Sequence, residues 1–494
     1  MRMTICLFNK PEDVDFYYYN PICIDSLVIC INNRRYSDLD PPKQIALPLF
    51  GNLLSFIFDL PFISLQKFSF KYGKVFGFYF ASKYAIVCSD PKLAREILVN
   101  HSDNFINRPD SPSWKEISNG YQDIIVARDQ DWYSLRKLTS RAFTKTKLKS
   151  QIPLMEEQSL KFIQHFRAYA DGKTRLNPIE YCHRFTMNII LQMIISKELN
   201  YHDEDNEMEM KNIVHYCEAV AKNSGIYANY ESFTFLHPLI RLYIKYIKNE
   251  NTKLVSIFKR YYDEHLASLD PDNPRNLLDS FILASEETGD KTRICYLCTD
   301  FLLAGTDTSS NTILWFIILM VNNPHIQEKC ADELRHVIGS DRNQVLLSDR
   351  INLPFVSAVI KEVLRYRPVA PFPFPRKCKE AVVVNDVYFP ADSTFLLNNY
   401  AIAFDQEHWK NPEEFDPSRF LYDNHSEFFI PFSLGPRNCL GLNLALDEIF
   451  IAVSNLLLNF KFNSVDSKPI SEEMVYDIII KPKDFEIFVE DRIV

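Results

Sequence analysis

The feature that most limits how this chain can fold is a proline-free run from Thr292 to Asn323 whose apolar residues recur at helical spacing. As one helix it spans ~48 Å at 1.5 Å per residue, so a domain built from this chain must pack around a rod of that length. Asn322-Asn323-Pro324 ends the run, because proline cannot continue a helix and pushes the residue before it toward extended backbone. The rod is not a membrane span, since Thr306, Asp307, Thr308, Ser309, Ser310 and Asn311 follow one another at its centre, directly after Gly305. Glycine inside a helix costs about 1 kcal/mol against alanine, and burying a polar run adds to that cost. A purely structural helix gains nothing from either. A helix that lets a ligand approach its backbone, and holds polar groups beside it, gains from both.

The second constraint is Cys439. The chain has only 11 glycines, and two of them, Gly435 and Gly441, lie within four residues of this cysteine in the stretch Phe432-Ser433-Leu434-Gly435-Pro436-Arg437-Asn438-Cys439-Leu440-Gly441. Leu442, Ala445, Leu446, Ile449, Val453 and Leu456 then recur at helical spacing. A tight loop therefore delivers a cysteine to a helix start, where backbone N–H groups and the positive helix end favour thiolate over thiol. Such a thiolate can serve as an axial metal ligand or as a nucleophile. The bland alternative is a small buried hydrophobe, and Arg437 is a poor neighbour for an apolar plug.

At 494 residues the chain is long enough for about three domains, yet no low-complexity linker or internal repeat divides it. Its 38 phenylalanines suffice to wall a large apolar cavity, or to serve as ordinary core. With 55 basic against 64 acidic residues, nothing suggests nucleic acid as a partner. The eleven scattered cysteines do not read as a disulfide framework, which favours a reducing compartment. Cys295 and Cys298 form a C-x-x-C without a second pair at zinc spacing and read as helix-face residues. Helical patterns dominate from about Trp132 to Glu287. Asp90-Pro91 opens a helix over Lys92–Val99. Short strands are expected at Val75–Phe80 with Tyr84–Cys88, at Val382–Val384, Val387–Phe389 and Thr394–Leu397, and as a terminal pair at Ile478–Ile480 and Phe485–Val489. The fold class is mainly α with a minor β portion.

The ordered set Phe432, Gly435, Arg437, Cys439 and Gly441 resembles the haem-binding loop of the cytochrome P450 family, in its eukaryotic microsomal form. The resemblance runs from about Pro41 to the end. It implies a single haem domain over 41–494, with haem b held between the long central helix and the Cys-loop helix and Cys439 as proximal thiolate. The electron push of such a ligand favours O–O cleavage. Ala304-Gly305-Thr306-Asp307-Thr308 resembles the family's oxygen-binding groove. There Ala304 is implied as part of the groove, Gly305 to leave room for O₂, Thr308 to hydrogen-bond the oxygen being reduced, and Asp307 to help relay protons into a dry pocket. Trp132-Tyr133-Ser134-Leu135-Arg136 resembles a helix whose Trp132 and Arg136 reach a haem propionate, with Arg376 and Arg437 as further propionate cations. Glu362 and Arg365, at i and i+3, would alone pass for a solvated helix face. With Arg419 in Asp416-Pro417-Ser418-Arg419-Phe420 they resemble the family's buried structural triad.

The sequence carries no appended flavin or nicotinamide domain, so the resemblance implies electrons from a separate NADPH-dependent flavoprotein reductase. The basic run Arg136, Lys137, Arg141, Lys145, Lys147 and Lys149 is either a solvated face or the surface that meets this acidic partner. The expected reaction inserts one atom of O₂ into an apolar small molecule. The substrate is expected to face roughly Pro109 to Val126, Ile226 to Leu236, Val369 to Phe374 and Asp477 to Ile480. Residues 1–40 read as a separate N-terminal segment with a degenerate membrane-associating character. Ile22 to Ile31 is apolar and followed by Arg34 and Arg35, but Asp25 and Ser26 interrupt it and it falls short of the ~20 residues a span needs. Pro41 to Asn52 resembles the family's hinge, with Lys43 and Gln44 as departures. The implied location is the endoplasmic reticulum membrane surface, facing the cytosol. Two other readings stay open: a haem-thiolate isomerase or dehydratase acting on peroxides, which needs no proton relay, and a non-catalytic haem sensor.

Overall fold

A computed structural model of the chain describes residues 37–492 apart from 203–206, 247–249, 286–289, 341 and 424, and only the backbone at 141–142, 145–146 and 225–230. The apolar segment Ile22 to Ile31 with Arg34 and Arg35 lies outside the described residues. The structure is 54% helix and 12% strand, which agrees with a mainly α fold carrying small sheets.

The long run forms one helix, Lys291–Asn322, capped at its start by the Asp290 carboxylate, which accepts from the N–H groups of Thr292 and Arg293. From Ile313 to Met320 every side chain is buried, so this half of the helix is apolar all round and lies inside the core. Its polar centre is satisfied in part from within, while Thr306 Oγ1 and Ser309 Oγ are buried with no hydrogen-bond partner among the described residues. Thr308 Oγ1 donates to Ala304 O at 2.8 Å, Thr312 Oγ1 to Thr308 O at 2.9 Å, and Asn311 Nδ2 to Asp307 O at 2.7 Å. Helices Ile179–Ile195, Glu250–Ala267 and Leu442–Asn459 pack around this central helix.

The main sheet has four strands in the order β1 (Val75–Phe80), β2 (Lys83–Cys88), β7 (Thr394–Leu397) and β4 (Arg376–Lys377). β1 and β2 form an antiparallel hairpin, and β2 runs parallel to β7. In β4, Arg376 lies opposite Phe395 and Lys377 opposite Thr394, so alternation buries Arg376 and leaves Lys377 half-buried. β5 (Val382–Val384) and β6 (Val387–Phe389) pair as expected. The segment after Pro41 docks along β1: the Gly77 N–H donates to Pro42 O at 2.8 Å, and Asn52 Oδ1 accepts from the Tyr79 N–H at 2.9 Å.

Two expectations are corrected. The two terminal strands do not pair with each other. β10 (Ile480–Pro482) pairs with β9 (Met474–Tyr476), whereas β11 (Ile487–Asp491) is the centre of a sheet between β3 (Asp171–Leu176) and β8 (Phe460–Ser464). An apolar run marks a strand but names no partner. β3 interrupts the stretch expected to be helical. Its sequence is polar and only Leu176 is buried, so backbone pairing makes it a strand without side-chain alternation to announce it. The helix expected over Lys92–Val99 forms, as an α-helix at Pro91–Arg95 that continues as a π-helix at Glu96–Asn100.

Candidate haem site

The cysteine loop is built by two residues in left-handed backbone, Ser433 at φ 62 and Gly435 at φ 73. A side chain at 435 would lie 1.8 Å from the carbonyl oxygen of Leu98, so glycine lets the loop press onto the π-turn. The Cys439 N–H donates to Phe432 O and the Asn438 N–H to Gly435 O, both at 3.0 Å, closing the loop. Gly441 caps the helix Leu442–Asn459, and a side chain there would meet nothing within 4 Å.

Cys439 opens onto a cavity of about 220 Å³ between this helix and the central helix. The other seven described cysteines, Cys378 among them, are buried. Burial pushes the Cys439 thiol up, while the Gly441 N–H and the Arg136 guanidinium pull it down. The amide and cation effects expected for a thiolate are present, but desolvation outweighs them in the chain alone. Glu448 is itself buried, which pushes its carboxyl up to about 8 and keeps it protonated at neutral pH. Thr308, Ser309 and Thr312 line the facing wall of the cavity, and Phe432 lines it from the cysteine loop. Ala304, one turn before Thr308, is exposed and gives its carbonyl to the Thr308 hydroxyl.

Gly305 and Asp307 each have a neighbour on the helix Ile179–Ile195. A side chain at 305 would come within 2.7 Å of Ile190 Cδ1, so this glycine serves the close packing of the central helix on Ile179–Ile195. Asp307 lies off the cavity, with Oδ1 3.5 Å from His183 Nδ1.

Arginines gather at one end of the cavity. Arg376, Arg437 and Arg108 line it, and all three are buried. Arg376 Nη2 donates to Arg437 O at 3.3 Å, while Arg376 Nη1 and Arg437 Nε are buried with no hydrogen-bond partner among the described residues. Arg437 Nη2 reaches Ala127 O, and its guanidinium lies 4.5 Å above the Trp132 ring. Burial pushes Arg376 down to about 9. Burial, with Arg376 as a like-charged neighbour, pushes Arg437 down to about 8. Guanidinium groups stay charged in proteins, so these shifts express an unmet need for anions. Trp132 thus supports Arg437, and Arg136 Nη2 donates to Asn438 Oδ1 at 2.8 Å on the cysteine loop; neither of these two lines the cavity.

Glu362, Arg365 and Arg419 come together as the resemblance implied. Glu362 and Arg365 are almost wholly buried and form a two-pronged pair at 2.7 and 2.8 Å. The Asp416 N–H and Arg419 Nε add to Glu362 Oε1 at 2.9 and 3.4 Å. Arg365 also donates to Ala403 O, Pro412 O and Glu414 O.

A second cavity of about 350 Å³ adjoins the first and shares Arg108, Pro373 and Phe374 with it. All four segments expected to face a substrate contribute to the two cavities, among them Trp114, Glu231, Phe372 and Ile478. Sequence reasoning missed the hairpin residues Phe80, Lys83 and Ala85 on this wall. It also missed Arg108, which is held by Ile125 O, Phe374 O and Pro375 O, and Asp300, which accepts from the Ile124 N–H at 2.9 Å and ties that segment to the central helix.

The donors fit haem. Buried guanidinium N–H groups without partners suit two propionates, and a lone cysteine faces them across an apolar cavity. Among the described residues no group of three or more His, Cys, Asp or Glu gathers to hold a bare metal ion, so a metal at Cys439 must bring its own ligands. The comparisons agree. The family model described as cytochrome P450 matches residues 41–489. The probable cytochrome P450 508A2 of Dictyostelium discoideum is 33% identical over 472 residues, covering 93% of this chain and 95% of the relative. The probable cytochrome P450 508A1 of the same organism is 34% identical, covering 91% and 93%. A zebrafish cytochrome P450 solved with progesterone superposes with a TM-score of 0.77 at 26% identity, covering 87% of this chain and 99% of that one. A chain that gathers a cysteine loop, unpaired arginines and a hydroxyl-lined helix around one cavity, and matches this family over nearly its whole length, belongs to the cytochrome P450 family of haem-thiolate monooxygenases.

Proposed function

We propose that Cys439 is the proximal thiolate of haem b, that Arg376 and Arg437 hold the propionate end, and that the enzyme inserts one atom of O₂ into an apolar small molecule held in the adjoining cavities. The observation that carries this reading is the pair of unpartnered buried donors, Arg376 Nη1 and Arg437 Nε, at the end of the cavity that Cys439 lines. Haem b, when bound, supplies the two-electron activation of O₂. The chain's own residues do the rest. Trp132 and Arg136 support the site at one remove, through Arg437 and Asn438. The Thr308 hydroxyl faces the cavity with its proton given to Ala304 O; a turn about its side chain would direct that proton into the cavity. Asp307 would act behind it, on the side of His183. Gly305 serves by letting the two helices approach. Apolar walls from Phe56, Phe80, Trp114, Phe372 and Leu396 exclude water and favour apolar ligands. The zebrafish relative was solved with progesterone, an apolar ligand of this kind.

Electrons come from a separate flavoprotein reductase that meets the basic face of Arg136, Lys137, Lys147 and Lys149, of which the last two lie on the short helix Lys145–Ser150. The protein sits on a membrane surface. Leu49, Phe50, Ile57 and Phe58 are exposed, as are Phe235, Leu239, Leu242 and Tyr246, and an edge-on contact of the Phe50 and Phe233 rings at 6.0 Å joins the two groups. The described helix that is long and apolar enough to cross a bilayer, Leu442–Asn459, is mostly buried in the core.

Turnover under isotopically labelled O₂ with NADPH and a microsomal reductase tests the reaction class. One labelled atom in the product and one in water is expected. Product formed without reductant, or without label, would show an isomerase or dehydratase instead.

A further inference from the structure

Resting on the monooxygenase reading of the same cavities, we propose that the substrate is an apolar chain ending in a single carboxylate, and that the Lys83 ammonium in the outer cavity anchors that carboxylate. Lys83 opens β2 directly across the hairpin from Phe80, and the tight turn before it puts Ala81 at φ 51. Both Lys83 and Phe80 line the 350 Å³ cavity, so a cation sits on a wall that is otherwise mainly apolar. The hydrogen bond that Lys83 makes is long, 3.4 Å to Asp110 O. Among the described residues no carboxylate lies within 4.0 Å of its nitrogen.

The charges around it leave room for one anion. Arg128 pairs with Asp110 at 2.5 Å, Lys377 with Asp392 at 2.8 Å, and Lys481 with Asp477 at 3.3 Å. Glu231 takes its hydrogen bonds from neutral donors, Ser111 Oγ at 2.9 Å and the Ser113 N–H at 2.5 Å. Arg108 spends its donors on backbone carbonyls. Lys83 and Arg108 therefore stand against Glu231, two positive groups against one negative. Burial works against the charged form of Lys83 more than Glu231 and Asp110 favour it, and a bound anion would tip that balance back. One negative charge balances the rim; a doubly charged head would be repelled by Glu231. Because the two cavities share Arg108, Pro373 and Phe374, a chain anchored at Lys83 has an apolar path toward Cys439.

The test is calorimetric titration of the haem-loaded full chain with dodecanoic acid, methyl dodecanoate and dodecanol. The acid is expected to bind about tenfold more tightly than the ester or alcohol, the range of a charge-assisted hydrogen bond. Lys83→Met should bring the three within about twofold of one another, and Lys83→Arg should keep the preference. A wild-type protein that binds the acid no better than the ester overturns the proposal, as does a Lys83→Met protein that keeps the preference. The reduced carbon monoxide spectrum of the same samples reports thiolate ligation independently. A normal spectrum with no acid preference therefore removes the anchor alone, and an abnormal spectrum removes the oxygenase reading.

Discussion

Two groups of buried arginines lie near the cysteine loop, and they are built in opposite ways. Arg365 is saturated: two bonds to Glu362 and three to backbone carbonyls, with aromatic rings of Tyr366, Phe404 and Trp409 about it. Arg376 and Arg437 are starved. No carboxylate pairs with either among the described residues, and each keeps a buried N–H without a partner. A fold tolerates the first arrangement as structure. It tolerates the second only if something anionic arrives, because each unpaired buried donor costs ~1–3 kcal/mol. The difference separates a residue that holds the chain together from one that waits for a ligand.

The largest effect should come from breaking the saturated group. Arg365→Met leaves Glu362 buried and charged without its partner, which should cost ~3–5 kcal/mol. Thermal unfolding and yield of folded protein should both collapse, while an Arg365→Met protein as stable as wild type would erase the contrast. Next come the starved arginines. Arg437→Met and Arg376→Met should fold, since each removes an uncompensated charge, but should release haem roughly 10–100 times faster, the worth of a lost charge-assisted hydrogen bond. Transfer of haem to apomyoglobin measures this directly, and unchanged release with a lowered melting point would move both residues into the structural class. The glycines give a parallel contrast of smaller size. Gly435→Ala forces a side chain onto Leu98 O at positive φ and should cost upwards of ~2 kcal/mol, whereas Gly441→Ala enters open space and should cost under ~1 kcal/mol. Equal shifts in melting temperature would contradict the loop geometry. The smallest effect is at the surface: Lys147→Glu with Lys149→Glu should raise the reductase concentration for half-maximal turnover several-fold at low salt, fading as ionic strength rises.

How legible these groups were in the sequence follows from how local their construction is. The cysteine loop was readable because its glycines, Arg437 and Cys439 act within ten residues. The central helix was readable because its period is unbroken and its stop is a proline. Glu362 and Arg365 were readable only through resemblance, since an i, i+3 pair looks the same on a surface and in a core; burial comes from Ala403, Pro412 and Glu414, far along the chain. Arg108 gave no signal, because carbonyls at 125, 374 and 375 hold it. Gly305 was tied to O₂ through resemblance; its packing against Ile190, on another helix, gave no signal in the sequence. β3 escaped because its strand partner β11 lies more than 300 residues away, with Arg175 opposite Phe488, and its own side chains do not alternate.

The account rests on which sulfur meets the iron, and the absorption spectrum of the reduced, carbon monoxide-bound protein reads that sulfur directly. Wild type and Cys378→Ala should both give the red-shifted Soret band of a thiolate-ligated haem, and Cys439→Ser should lose it. A Cys439→Ser protein that retains the band would place the ligand elsewhere and contradict the site described at the cysteine loop.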